Sequence, residues 1–129
     1  HYRSHPSGFE CIDVIRGLPF SAGNAIKYIW RAGQKDNTLQ DLDKALWYVR
    51  DCIDNKINYL ADDQAMEMFG RWAKEEDDLD KIAAVELILL NIPEVAEDYI
   101  EDLRCRHKAQ GPRQSQKAPK VDVWPMPKA

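Results

Sequence analysis

Leu42, Leu46, Val49, Ile53, Ile57 and Leu60 recur at steps of three and four residues, a period that lines one face of an α-helix and that a strand does not use. The surrounding chain must therefore bury a helical stripe. Thr38, with Asp41 three residues later, is a capping-box variant and predicts a helix that opens at 38 and runs to about Leu60. Three more stripes follow. They comprise Ala65, Met66, Phe69, Trp72 and Ala73; then Leu79, Ile82, Ala83 and Val85 through Leu90; then, beyond Pro93, Val95, Ala96, Tyr99, Ile100 and Leu103. The second of these is apolar on most sides near its end and is expected to be the most buried. Upstream, Phe9 to Ile15 predicts a short helix that Gly17 and Pro19 break, and Ser21 is the expected cap of a helix of about 21–33 that Gly33 ends. Only Val121-Asp122-Val123-Trp124 alternates as a strand would. The predicted fold is all-α, a small helical domain with an antiparallel helix pair and a flexible C-terminal tail.

A chain of 129 residues supports one hydrophobic core. The expected organisation is a helical domain over 1–106, with a basic tail over 107–129. No apolar run approaches the roughly 20 residues of a membrane helix, and His1 to Pro6 has neither the apolar stretch nor the cleavage site of a signal peptide. Cys11, Cys52 and Cys105 form no Cys-x-x-Cys pair and leave an odd thiol, which points to reduced cysteines and a cytoplasmic setting, the host cytoplasm if the gene is carried by a phage. Charge is divided unevenly. Residues 1–60 hold 8 basic and 7 acidic groups, residues 61–106 hold 5 and 14, and residues 107–129 hold 5 and 1. The acidic middle would repel a polyphosphate backbone, so nucleic acid is not the expected partner, whereas a small anion near the N-terminal third is compatible. The small core and the apolar surface expected on residues 61–106 suggest a homo-oligomer.

At about 100° per residue, Asn24, Lys27, Tyr28, Arg31 and, if the turn continues, Lys35 share an arc of one helix, and Asp41, Lys44 and Tyr48 share a face of the next. Joined by the short connection from Gly33 to Asn37, two antiparallel helices would line one cleft with these groups. Phosphate recognition uses this chemistry: guanidinium offers a planar pair of donors, ammonium a mobile point charge, and tyrosine a ring and a hydroxyl. A solvated helix face shows the same spacing, but two tyrosines on such a face require a reason. Glu10 and Asp13, three residues apart, are placed to position a lysine or a metal, or to serve as surface carboxylates.

These residues stand in a recognisable order. His1-Tyr2, Glu10-Cys11-Ile12-Asp13-Val14-Ile15, Gly23-Asn24-Ala25-Ile26-Lys27-Tyr28-Ile29-Trp30-Arg31-Ala32-Gly33, Lys35, and Asp41-Leu42-Asp43-Lys44-Ala45-Leu46-Trp47-Tyr48 together resemble the SaV-like phage family, which includes a podophage nucleotide kinase that phosphorylates deoxynucleoside monophosphates without a P-loop. The resemblance covers about residues 1–55 and leaves the acidic helices of about 61–106 as accessory. Gln34 stands where relatives often carry a second lysine.

By position, the resemblance marks His1, Tyr2, Asn24, Lys27, Tyr28, Arg31, Lys35, Asp41, Lys44 and Tyr48. It implies a nucleoside monophosphate kinase with a nucleoside triphosphate as donor, and leaves the need for Mg2+ open. Because the chain has no Gly-x-x-x-x-Gly-Lys-Ser/Thr cradle, side chains would have to meet the charge on the transferred phosphoryl group. Lys27, Arg31 and Lys44 are the candidates for that role. Asp13 or Asp41 would orient a cation or accept a proton, and Tyr2 or Tyr28 would stack on the base. Two rival expectations remain. One is a protein that binds and sequesters a nucleotide without turnover. The other is a MazG-like pyrophosphohydrolase, for which Glu94-x-x-Glu97 and Glu75-x-x-Asp78 have the spacings of a magnesium site, though in reversed order.

Overall fold

The computed structural model describes residues 11–34 and 37–109, and six helices account for most of them. In chain order they are α1 (Cys11–Ile15), α2 (Phe20–Arg31), α3 (Thr38–Asp54), α4 (Asp63–Glu75), α5 (Leu79–Leu89) and α6 (Pro93–Ala109). No strand occurs among the described residues, and the fold is all-α. No helix among them is long and apolar enough to cross a membrane. The segment Val121–Trp124 lies outside the described residues, as does the tail beyond Ala109.

α2 and α3 form an antiparallel pair and pack on each other more extensively than any other two helices; α6 covers α3, and α5 bridges α6 to α2. Two pairings fix the antiparallel sense. Ser21, at the start of α2, donates a hydrogen bond to Asp51 near the end of α3, and Arg31, at the end of α2, lies beside Asp41 at the start of α3. The acidic helices share this core. Trp72 of α4 stacks on Trp30 of α2 at 4.6 Å with planes 18° apart, and Ile88, Ile100 and Leu103 are as buried as Leu42 and Val49. On the outer face Arg50 of α3 donates to Glu97 of α6 at 2.6 Å and also to Glu101, and Arg104 reaches back to Asp43.

Several expectations are corrected at helix ends. Ser21 is not a cap: Pro19 precedes α2 and makes no side-chain cap bond. Thr38 does not cap α3 with its side chain either; its hydroxyl accepts a hydrogen bond from the Gly33 N–H at 3.1 Å and ties off the connecting turn, in which Gly33 adopts a φ of 89° that suits glycine. α3 stops at Asp54 rather than Leu60. Lys56 turns left-handed (φ 48°) and the Ile57 N–H reaches back to the Cys52 carbonyl, a Schellman ending that leaves Leu60 87% exposed. α5 ends the same way, with Asn91 at φ 60° and the Ile92 N–H on the Leu87 carbonyl. The most deeply buried helix is α2, because α1, α3 and α5 all pack on it; α5 leaves Leu79 exposed. Two acidic residues prove to be caps: Asp62 accepts from the Ala65 N–H, and Asp78 from those of Asp80 and Lys81.

Candidate functional site

Three cations converge on one buried ring. Lys27 Nζ lies 5.2 Å, Lys44 Nζ 5.3 Å and Arg31 Cζ 5.9 Å from the centroid of the Tyr28 ring, within the range at which a ring's quadrupole attracts a cation. Tyr28 in turn stacks on Tyr48 across the helix pair, centroids 6.1 Å apart and planes within 6°. The helix period explains the meeting. Lys27, Tyr28 and Arg31 share an arc of α2, Asp41, Lys44 and Tyr48 an arc of α3, and the antiparallel packing turns the two arcs toward each other.

Burial grades the set. Asp41, Lys44, Tyr28 and Tyr48 are buried, whereas Asn24, Lys27 and Arg31 are half-buried at the rim. Arg31 Nε sits 4.0 Å from Asp41 Oδ2, so the carboxylate orients the guanidinium without a close bond. Lys27 makes no ion pair among the described residues. Asn24 is tied to its own helix, its amide donating to the Phe20 carbonyl at 3.0 Å. Asp13 is exposed on α1; it and Lys27 act with opposite sign on Cys11, whose thiol burial pushes up to about 12, so that cysteine stays protonated and unreactive. Burial also raises Tyr48, with Asp51 adding to the shift. The expectation that Tyr28 stacks on a base does not fit a ring 2% exposed with Tyr48 against it. His1, Tyr2 and Lys35 lie outside the described residues.

Lys81 went unnoticed in the sequence. From α5 its ammonium enters the end of α2 and donates to the carbonyls of Trp30 at 3.2 Å and Ala32 at 2.8 Å, with Glu76 Oε1 at 3.7 Å. The last carbonyls of a helix carry negative partial charge and lack partners within the helix. That end of α2 would by itself repel a phosphate near Arg31, and a buried cation on those carbonyls offsets the repulsion. Dehydration holds the Lys81 pKa below its ordinary value, against the opposing pull of Glu76, Asp78 and Asp41. The signal was legible in principle, since Lys81 is a lone charge within the apolar stripe of Ala84, Val85 and Ile88.

Two of the carboxylates with the spacing of a magnesium site are engaged elsewhere. Glu97 holds Arg50, and Asp78 caps α5 and pairs with Arg106. Among the described residues no group of three His, Cys, Asp or Glu is placed to hold a metal ion.

Fold and site together define an all-α domain with a cationic, aromatic-backed face on its α2–α3 pair. A family model described as a protein of unknown function (DUF3310) matches residues 1–50, a stretch that contains α1, α2 and all of α3 but its last turn. No curated protein and no solved structure matches the chain.

Proposed function

We propose that the α2–α3 face binds the phosphates of a nucleotide and that the protein is a phage-type nucleoside monophosphate kinase acting in the cytoplasm. The observation that carries this reading is the convergence of Lys27, Arg31 and Lys44 within 6 Å of one buried ring, with Asp41 the carboxylate paired to that cluster. Gathering three like charges raises their mutual repulsion, which a bound polyanion relieves. The resemblance of residues 1–55 to the SaV-like phage kinases points the same way.

In the transfer, an oxygen of the acceptor monophosphate forms a bond to the donor's γ-phosphorus while the bridging bond to the β-phosphate breaks, giving two nucleoside diphosphates. The acceptor phosphate, with a second pKa near 6, is largely dianionic at neutral pH, so no base has to remove a proton. Asp41 then serves to orient Arg31. Arg31 and Lys44 meet charge on the transferred group, and Lys27 at the rim holds the acceptor phosphate. A Mg2+ ion, where the reaction uses one, would arrive with the donor's phosphates and neutralise part of their charge.

A panel of nucleoside monophosphates incubated with a nucleoside triphosphate, with Mg2+ or with chelator, and read by mass spectrometry tests this. Diphosphate from both partners is expected. Released pyrophosphate would favour a hydrolase, and ligand returned unchanged a sequestering protein. The exposed Leu90, Ile92 and Val95 around the α5–α6 turn support self-association, which light scattering reads.

A further inference from the structure

The stripe of α2 that carries the cations begins with an aromatic residue. Phe20, Asn24, Lys27 and Arg31 follow one another at steps of four, three and four and occupy a common arc of the helix. Phe20 is 71% exposed. A single exposed apolar side chain needs no explanation by itself. This one is held by Tyr48, whose ring meets it edge-on at 5.8 Å and 75°, and Tyr48 is the same ring that backs Tyr28 and its three cations. The two tyrosines have given their faces to each other and to the cations. Among the described aromatic rings of the site Phe20 is the most exposed; Trp47, which also meets Tyr48 edge-on, is half-buried.

We infer that Phe20 is the platform on which the nucleotide's base stacks, with the sugar and phosphates running along α2 toward Lys27 and Arg31. This rests on the nucleotide reading proposed above. Seven residues at a rise of 1.5 Å put the Lys27 backbone about 10 Å from that of Phe20. The Lys27 side chain leans toward the N-terminal end of the helix and shortens that gap, to a span that a nucleoside and its first phosphate cover. Arg31, one further turn along, falls where a second phosphoryl group would arrive. Stacking of this kind tolerates any base, since every base has a π-face.

Calorimetric titration of the four deoxynucleoside monophosphates, and of 2-deoxyribose 5-phosphate as a ligand without a base, separates the possibilities. Exposure of Phe20 means that Phe20→Ala should fold. It is expected to weaken every mononucleotide by about 5- to 150-fold, as loss of one stacked base does, to leave 2-deoxyribose 5-phosphate unchanged, and to be rescued by Phe20→Trp. If Phe20→Ala binds mononucleotides as wild type does while Arg31→Lys loses them, the platform is wrong and the phosphate site stands. Equal weakening of the baseless ligand overturns the platform too, because Phe20 would then act through α2. If the wild type binds none of these ligands, both readings fall.

Discussion

Replacing Lys81 by methionine keeps most of the side-chain volume and removes the ammonium. Two hydrogen bonds to the α2 carbonyls disappear, along with the cation 3.7 Å from Glu76. Hydrogen bonds from a charged donor contribute about 1.5–3 kcal/mol each. Part of that is returned, since the variant no longer dehydrates an ammonium that is 6% exposed in the fold. The net expectation is a loss of about 2–4 kcal/mol, or about 8–16 °C in Tm at roughly 4 °C per kcal/mol for a domain near this size. Urea melts across pH supply a second arm. The folded pKa of Lys81 lies below its ordinary 10.5, so between the two values the unfolded chain holds more protons than the folded one. The Lys81 contribution therefore grows as pH rises through that window. The Lys81→Met penalty should be larger near pH 10 than near pH 7. A variant melting within about 2 °C of wild type, a shift well under 1 kcal/mol, or a penalty that shrinks as pH rises, would refute the reasoning.

Two further outcomes are expected. Burial lifts the Cys11 thiol to about 12 and the Cys52 thiol to about 11 from an ordinary 9.0; the stability this confers is fully present below pH 9 and is lost as pH rises toward those values, by up to about 1.4 kcal/mol per pH unit per thiol. Cys11→Ala should flatten the alkaline limb of a stability profile taken from pH 8.5 to 10.5, and an unchanged limb would contradict this. Glu97→Ala should cost less than about 1 kcal/mol, because its partner Arg50 is half exposed, and should leave nucleotide binding intact; loss of a metal-dependent activity would instead favour the hydrolase.

The helical period placed the stripes of α3 to α6 and grouped the residues that surround Tyr28, because both depend only on spacing along a helix. Left-handed turns at Lys56 and Asn91 were harder to anticipate. Asn favours that conformation, and Pro93 marked the break that follows α5; Lys does not, so the stripe ran on to Leu60. Ser21 has the composition of a cap but is the second residue of α2, where Asp51 of α3 supplies a partner that the local sequence does not reveal. The roles of Lys81 and Phe20 depend on helices meeting across long sequence separations, and neither follows from local pattern alone. Burial of Tyr28 and Tyr48 is likewise a property of the packed pair.

Calorimetric binding of mono- and triphosphate nucleotides to the wild type, Arg31→Lys and Lys27→Ala bears most directly on the proposed site. Arg31→Lys keeps the charge and loses the planar fork. Lys27→Ala removes a rim cation and, as a surface change, should alter stability by less than about 0.5 kcal/mol. The expected result is that wild type binds and that both variants bind at least roughly tenfold more weakly, from a loss of about 1.5–3 kcal/mol per charged hydrogen bond, with melting temperatures little changed. Both variants binding every nucleotide as the wild type does would reduce the polar stripe of α2 to a solvated helix face.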